Sequence, residues 1–292
     1  MTTPRFRPDL ASKLLALAAI ALWGTLAALG VALNHVPPFL LTGLALLVCS
    51  VMALPLSGFQ LSRWKVPLPT LALGVGGLFG FHFLLFVALR HAPPVQANLV
   101  NYLWPLLMVV LAPVFLPNMA LRPVHIAAAL LGFAGAAVVI LGGADAGSVG
   151  SNDWGWAWGY LPALASAFIW ASYSLLTTRV APFPTSAIGG FALVSGLLSL
   201  LCHALLEPAA HLSGRDGLLI LAMGLGPMGA AFFLWDKALK LGDARQIGIL
   251  SYLTPLASTA LLVLTSGRPL TWPITLAAVM IIGAALLGAR GR

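Results

Sequence analysis

Asn98, Asn101, Tyr102 and Pro105 stand at i, i+3, i+4 and i+7 of an otherwise apolar run, which on a helix makes one polar stripe. At an offset of 150 residues, Gly248, Ser251, Tyr252 and Pro255 repeat the spacing. Amides and hydroxyls can hold the polar head of a solute, and neither stripe carries the paired carboxylates, or the nucleophile with a base in reach, that bond-making needs. Each such group could also be plain interhelical glue, worth about 0.6 kcal/mol. The matched placement in two stripes favours the lining of a cavity. Pro105 and Pro255 each remove a backbone hydrogen bond at mid-helix, so both are expected to kink or unwind their helices and to serve as hinges.

Beside these stripes lie aromatic residues. Trp23 and Trp170 fall well inside apolar runs, whereas Trp64, Trp154, Trp156 and Trp272 lie near run ends, where interfacial tryptophans belong. Phe79, His82, Phe83 and Phe86 share one helical face, and Tyr102 and Trp104 follow on the next helix. Together they form a candidate aromatic wall, although an aromatic stripe is more often packing. The candidate binding residues are therefore Trp23, Phe79, His82, Phe83, Asn98, Asn101, Tyr102, Trp170, Ser251 and Tyr252. His82 is the sole ionisable group deep within an apolar run, either hydrogen-bonded structurally or able to carry a transported proton.

Carboxylates are scarce. Glu207 and Asp216 lie at run ends, and Asp236 has Lys240 at i+4 to neutralise it. Without a mid-membrane counter-charge, a lipophilic cation would be poorly held, so a neutral or zwitterionic solute fits better. Cys49 and Cys202 have no CxxC spacing and no His/Cys neighbours, so no metal, cofactor or catalytic residue is expected. An intramembrane enzyme such as a lipid-modifying transferase would need a motif that is not visible, and an ATP-driven pump would need a Walker sequence.

The elements that must position these groups are dictated by composition. Of 292 residues, 60% are hydrophobic and 8% are charged, and mean hydropathy is +1.01. An ordinary globular domain carries about 25% charged residues, so hydrocarbon is the main solvent here. The apolar runs are continuous rather than alternating, which selects helices over a barrel. Ten spans follow: 14–33, 38–54, 71–89, 95–116, 124–142, 156–178, 185–206, 217–235, 246–266 and 270–289. The first exceeds the 7–15 apolar residues of a signal core and is kept as a span.

Placing the amino terminus in the cytoplasm puts 12 Lys and Arg residues on that side and leaves only Arg90, Arg215 and Arg268 outside. Both termini are then expected to be cytoplasmic, and the net charge of +8 is a topology signal with no nucleic-acid partner implied. Residues 68–111 align without a gap on 218–261, with 15 identities in 44 pairs that include Gln96/Gln246, Phe83/Phe233, Tyr102/Tyr252 and Pro105/Pro255. The chain thus reads as an all-α integral membrane protein, with five-helix repeats over 1–142 and 157–292 and an extracytoplasmic linker over 143–156. Five being odd, the repeats run in opposite directions. Inverted halves can exchange conformations at nearly equal energy, which points to alternating access rather than catalysis.

The Ala21–Leu22–Trp23–Gly24 run, the Asn101–Tyr102–Leu103–Trp104–Pro105 stretch and its counterpart Ser251–Tyr252–Leu253–Thr254–Pro255 resemble the EamA family of the drug/metabolite transporter superfamily. Within it the chain is most similar to bacterial aromatic amino-acid exporters. The resemblance implies a basket of ten helices in the bacterial inner membrane, with spans 5 and 10 at the back and a cavity between spans 3, 4, 8 and 9 and the flanking spans 1, 2, 6 and 7. It also implies a monomer in the lipid bilayer, exporting small amphipathic metabolites, aromatic and other bulky neutral amino acids first. An exporter of another metabolite or drug class is the alternative within that family.

Overall fold

The computed structural model describes residues 8–116, 119–142, 158–266 and 272–289, and no β-strand occurs among them. The linker expected over 143–156 lies outside the described residues, as do Trp154, Trp156, Arg268 and the basic terminal residues. The chain opens with α1 (Pro8–Gly24) and α2 (Leu26–Ala32), followed by α3 (Pro38–Leu56), whose Pro38 sits where a missing N–H costs nothing. Next come α4 (Leu68–Val75) and α5 (Phe81–His91), fused through a π-helical segment Gly76–Gly80. α6 (Pro94–Asn101) and α7 (Trp104–Phe115) are separated by a two-residue break, and α8 (Pro123–Gly142) follows.

The later elements repeat this order: α9 (Tyr160–Leu176), α10 (Ile188–Leu206), α11 (Gly214–Leu225), α12 (Ala231–Leu241), α13 (Ala244–Leu250), α14 (Leu253–Ser266) and α15 (Trp272–Ala289). α11 and α12 are fused through a π-helical segment Gly226–Ala230, the counterpart of Gly76–Gly80 at the same offset of 150. The break at Ser251–Tyr252 likewise mirrors that at Tyr102–Leu103. Among the described residues eight helical stretches are long and apolar enough to cross a membrane, so the chain is a multi-pass membrane protein; α9 is also apolar and has 17 residues. The stretch expected to end at Trp235 instead continues to Leu241, because Lys240 reaches Phe183 O at 3.0 Å and Asp236 at 2.7 Å and thereby keeps its charge satisfied.

Packing places α8 against α15, α3 against α10, and α1 against α12. Bundle ends are named here by the chain: the proximal end is where α1 starts, and the distal end is where α5 finishes. Gly135 is the residue that receives α15, facing Met280 and Ile281, while Gly132 lies under the ring of Tyr252.

Candidate functional site

Four indoles meet where α1, α7, α9 and α12 converge. Trp23 lies 5.0 Å from Trp235, 5.9 Å from Trp170 and 6.5 Å from Trp104, centroid to centroid. Trp104 in turn lies 5.7 Å from Trp235 and 6.4 Å from Trp170. Most of these contacts are edge-to-face, the arrangement that ring quadrupoles favour. All four rings are 8% exposed or less. Two N–H groups are accounted for: Trp23 Nε1 donates to Pro227 O in the second π segment at 3.1 Å, and Trp235 Nε1 donates to Ser174 Oγ at 3.1 Å. Pairing buried indole donors avoids about 1–3 kcal/mol of desolvation each.

From this cluster a line of rings runs toward the distal end. Phe81 lies 5.4 Å from Trp170, His82 5.0 Å from Phe81 and 6.1 Å from Phe86, and Phe86 5.3 Å from Phe39. Phe83 stacks between Phe39 and Phe79, at 5.7 Å from each. The guanidinium of Arg90 closes the line, 5.8 Å above Phe39. His82 Nδ1 donates to Leu78 O at 2.6 Å, since a carbonyl can only accept.

The structure thus brings Trp23, Trp170, Phe79, His82 and Phe83 into one connected set of rings. Asn101 is buried and its Oδ1 accepts from Ser166 Oγ at 2.8 Å, tying α6 to α9. Asn98 and Tyr102 are half-buried; the Asn98 backbone carbonyl accepts from Tyr102 N at 2.9 Å, and its side-chain amide makes no hydrogen bond among the described residues. Ser251 and Tyr252 go elsewhere. Ser251 Oγ donates to Gly248 O within its own turn, and Tyr252 packs with Ala136 and Ile281 over Gly132, where a Cβ would collide with its ring. The reason is local: the break at Ser251–Tyr252 resets helical phase, and Gly132 leaves a recess that an aromatic ring fills. Pro105 and Pro255 both follow their breaks directly, in the first turns of α7 and α14.

Three features lay beyond the sequence reading. Trp235 has Leu85 as its repeat partner, so symmetry gave no signal, and the lysines after it pointed to a helix end. The π segments left a trace only in the matched glycines Gly74/Gly224 and Gly76/Gly226. Glu207, whose side chain is 1% exposed, is a hub: it accepts from Phe39 N at 2.9 Å and Leu40 N at 3.2 Å, and pairs with Arg90 at 3.3 Å and His203 at 3.0 Å. It thereby caps the amino end of α3 with a negative charge. At the proximal end the repeat partner of Arg90, Lys240, lies 3.9 Å from the Phe183 ring and pairs with Asp236, which also accepts from Thr185 Oγ1 at 2.6 Å.

A model of the EamA-like transporter family matches residues 10–141 and again 157–289. The aromatic amino acid exporter YddG of Ancylobacter novellus is 43% identical over 277 residues, 94% of this chain and 95% of that protein. A probable amino-acid metabolite efflux pump of Salmonella typhimurium is 28% identical over 284 residues, covering 92% of this chain and 91% of its own. Among solved structures, a crystal structure of a protein 41% identical aligns with a TM-score of 0.86 over 96% of this chain and 97% of the other.

Proposed function

The chain belongs to the EamA-like transporter family, and from that membership we propose that it exports aromatic and other bulky neutral amino acids across the bacterial inner membrane by alternating access. The observation that carries the substrate class is the cluster of Trp23, Trp104, Trp170 and Trp235, continued by Phe81, His82, Phe86 and Phe39. Indole and phenyl rings exchange contacts with these rings at little cost. Trp23, Phe79, His82, Phe83 and Trp170 receive the side chain, and Asn98, Asn101 and Tyr102 take the polar head.

The architecture that fits this activity is ten spans in two inverted halves, 1–142 and 157–292, joined over 143–156. Support comes from the family match to each half, from the π segments repeated at an offset of 150, and from the breaks repeated before Pro105 and Pro255. The proximal end is cytoplasmic, consistent with the excess of Lys and Arg there. Rocking of one half on the other opens the ends in turn, with the proline breaks as hinges.

Counterflow in proteoliposomes of purified protein tests the reading, using amino acids, nucleosides and cationic dyes as the panel. Tryptophan, tyrosine and phenylalanine should accumulate transiently, and accumulation of dyes with no amino-acid signal would overturn the substrate class. Reporter fusions to each terminus in intact cells check orientation, both being expected to read as cytoplasmic.

A further inference from the structure

The helices that carry Trp104, Trp170 and Trp235 all run on to the proximal end, where the chain encloses a depression of about 340 Å³. Its volume lies within the range of small-molecule sites, roughly 300–1,000 Å³. Leu116, Met119, Leu239 and Ala244 supply an apolar wall, and Thr178 and Arg179, both exposed, supply the polar edge. The lining is not purely greasy, and its polar part carries one sign of charge. The carboxylates beside it in sequence already have cations of their own: Asp236 pairs with Lys240 at 2.7 Å, and Asp243 pairs with Arg245 at 2.6 Å. Arg179 forms no ion pair among the described residues. Its planar fork can take a carboxylate through two parallel hydrogen bonds.

A second polarity lies next to the first. α9 ends at Leu176, two residues before Thr178, so the negative end of its dipole lies beside these lining residues. Thr178 Oγ1 donates to Leu175 O at 2.7 Å, which leaves its lone pairs as acceptors. A cation for a carboxylate, acceptors for an ammonium and an apolar wall for a side chain are the three requirements of an α-amino acid bearing a bulky side chain.

We infer that this depression is the loading site, where the substrate carboxylate docks on Arg179 before its ring moves up to the tryptophans. The inference rests on the aromatic amino-acid reading above. It makes Arg179 a binding residue with no role in the tryptophan cluster itself.

The test uses purified full-length protein in proteoliposomes. Phenylglyoxal modification of Arg179, followed by mass spectrometry, should slow severalfold with tryptophan present and stay unchanged with tryptamine, which keeps the indole and ammonium but lacks the carboxylate. Arg179→Gln should lower kcat/KM for tryptophan about tenfold, the loss expected for one charge-assisted hydrogen bond, and Arg179→Lys should restore part of it. Thermal unfolding of both variants should match wild type, because the side chain is exposed. Equal labelling with and without tryptophan, or a kcat/KM for Arg179→Gln within twofold of wild type, would overturn the inference while leaving the transport reading intact. Protection by anionic lipid but not by tryptophan would assign Arg179 to a headgroup phosphate and overturn it too. A wild-type protein that moves no aromatic amino acid would sink the parent reading, and the loading site with it.

Discussion

Within the aromatic set, individual residues differ in how far they could be read from sequence. The pairing of Trp23 with Trp170 was legible, because two tryptophans at matching depths in two repeats are hard to explain as interfacial anchors. Trp235 was not, since its repeat partner is Leu85 and the charges after it suggested a helix end that Lys240 removes by reaching Phe183 O. Tyr252 was misplaced for another reason: helical phase carries no information across a break, and the recess over Gly132 decides where the ring goes. Trp23→Ala and Trp170→Ala are each expected to reduce tryptophan counterflow by up to about tenfold, since a contact worth 1.4 kcal/mol is tenfold and an aromatic pair contributes about 0.5–1.5 kcal/mol beyond area. Trp158, exposed and stacked on His91 at 4.2 Å, serves as the control, and Trp158→Ala should transport normally. If Trp23→Ala and Trp158→Ala transport alike, the cluster has no part in binding.

At the scale of helices, the breaks were predictable and the π segments were not. Proline removes a donor wherever it stands, so Pro105 and Pro255 announce interruption directly. A π turn has no obligatory residue, and what marks the surroundings here is close packing: a Cβ at Gly77 would strike Tyr173, and one at Gly224, just before the second π segment, would strike Val48 and the backbone of Ala45. Pro105→Ala and Pro255→Ala restore an N–H and should slow counterflow severalfold without lowering the unfolding temperature; unaltered counterflow in both would remove the hinge role. Asp243 offers an electrostatic test at the amino end of α13. Burial opposes its ionisation, but hydrogen bonds from Arg245 prevail and hold its carboxyl below the usual carboxylate range. A depressed folded-state value means the stabilisation is present above the unfolded value and is lost as pH falls through the folded one. Asp243→Asn, which keeps a capping oxygen but loses the ion pair with Arg245, should therefore unfold earlier than wild type at pH 7, by up to about 1 kcal/mol, and the gap should close on acidification below about pH 4. A gap that is constant with pH would show that the charge contributes nothing.

Across the whole molecule, the membrane class was legible in composition alone, because composition needs no tertiary information. What it left hidden is how the two bundle ends are tied. At the distal end Glu207 joins α3, α5 and α10 through Phe39, Leu40, Arg90 and His203, and at the proximal end Asp236 joins α12 to the chain before α10 through Thr185 and Lys240. Glu207→Gln keeps the shape and removes the charge, so amide hydrogen exchange should quicken at residues 39–42 and 87–91 while α8 and α15 stay protected. Uniform exchange across all helices would mean that the residue stabilises the fold globally rather than tying one end. The tryptophan cluster spans the molecule in another sense, because Trp23 and Trp104 come from one half of the chain and Trp170 and Trp235 from the other. Indoles 5.0–6.5 Å apart couple their excited states, so their near-ultraviolet circular dichroism is a property of the group and depends on the angles between rings. Any movement of one half on the other changes those angles, and the unlabelled protein thereby carries its own optical clock for the transport cycle.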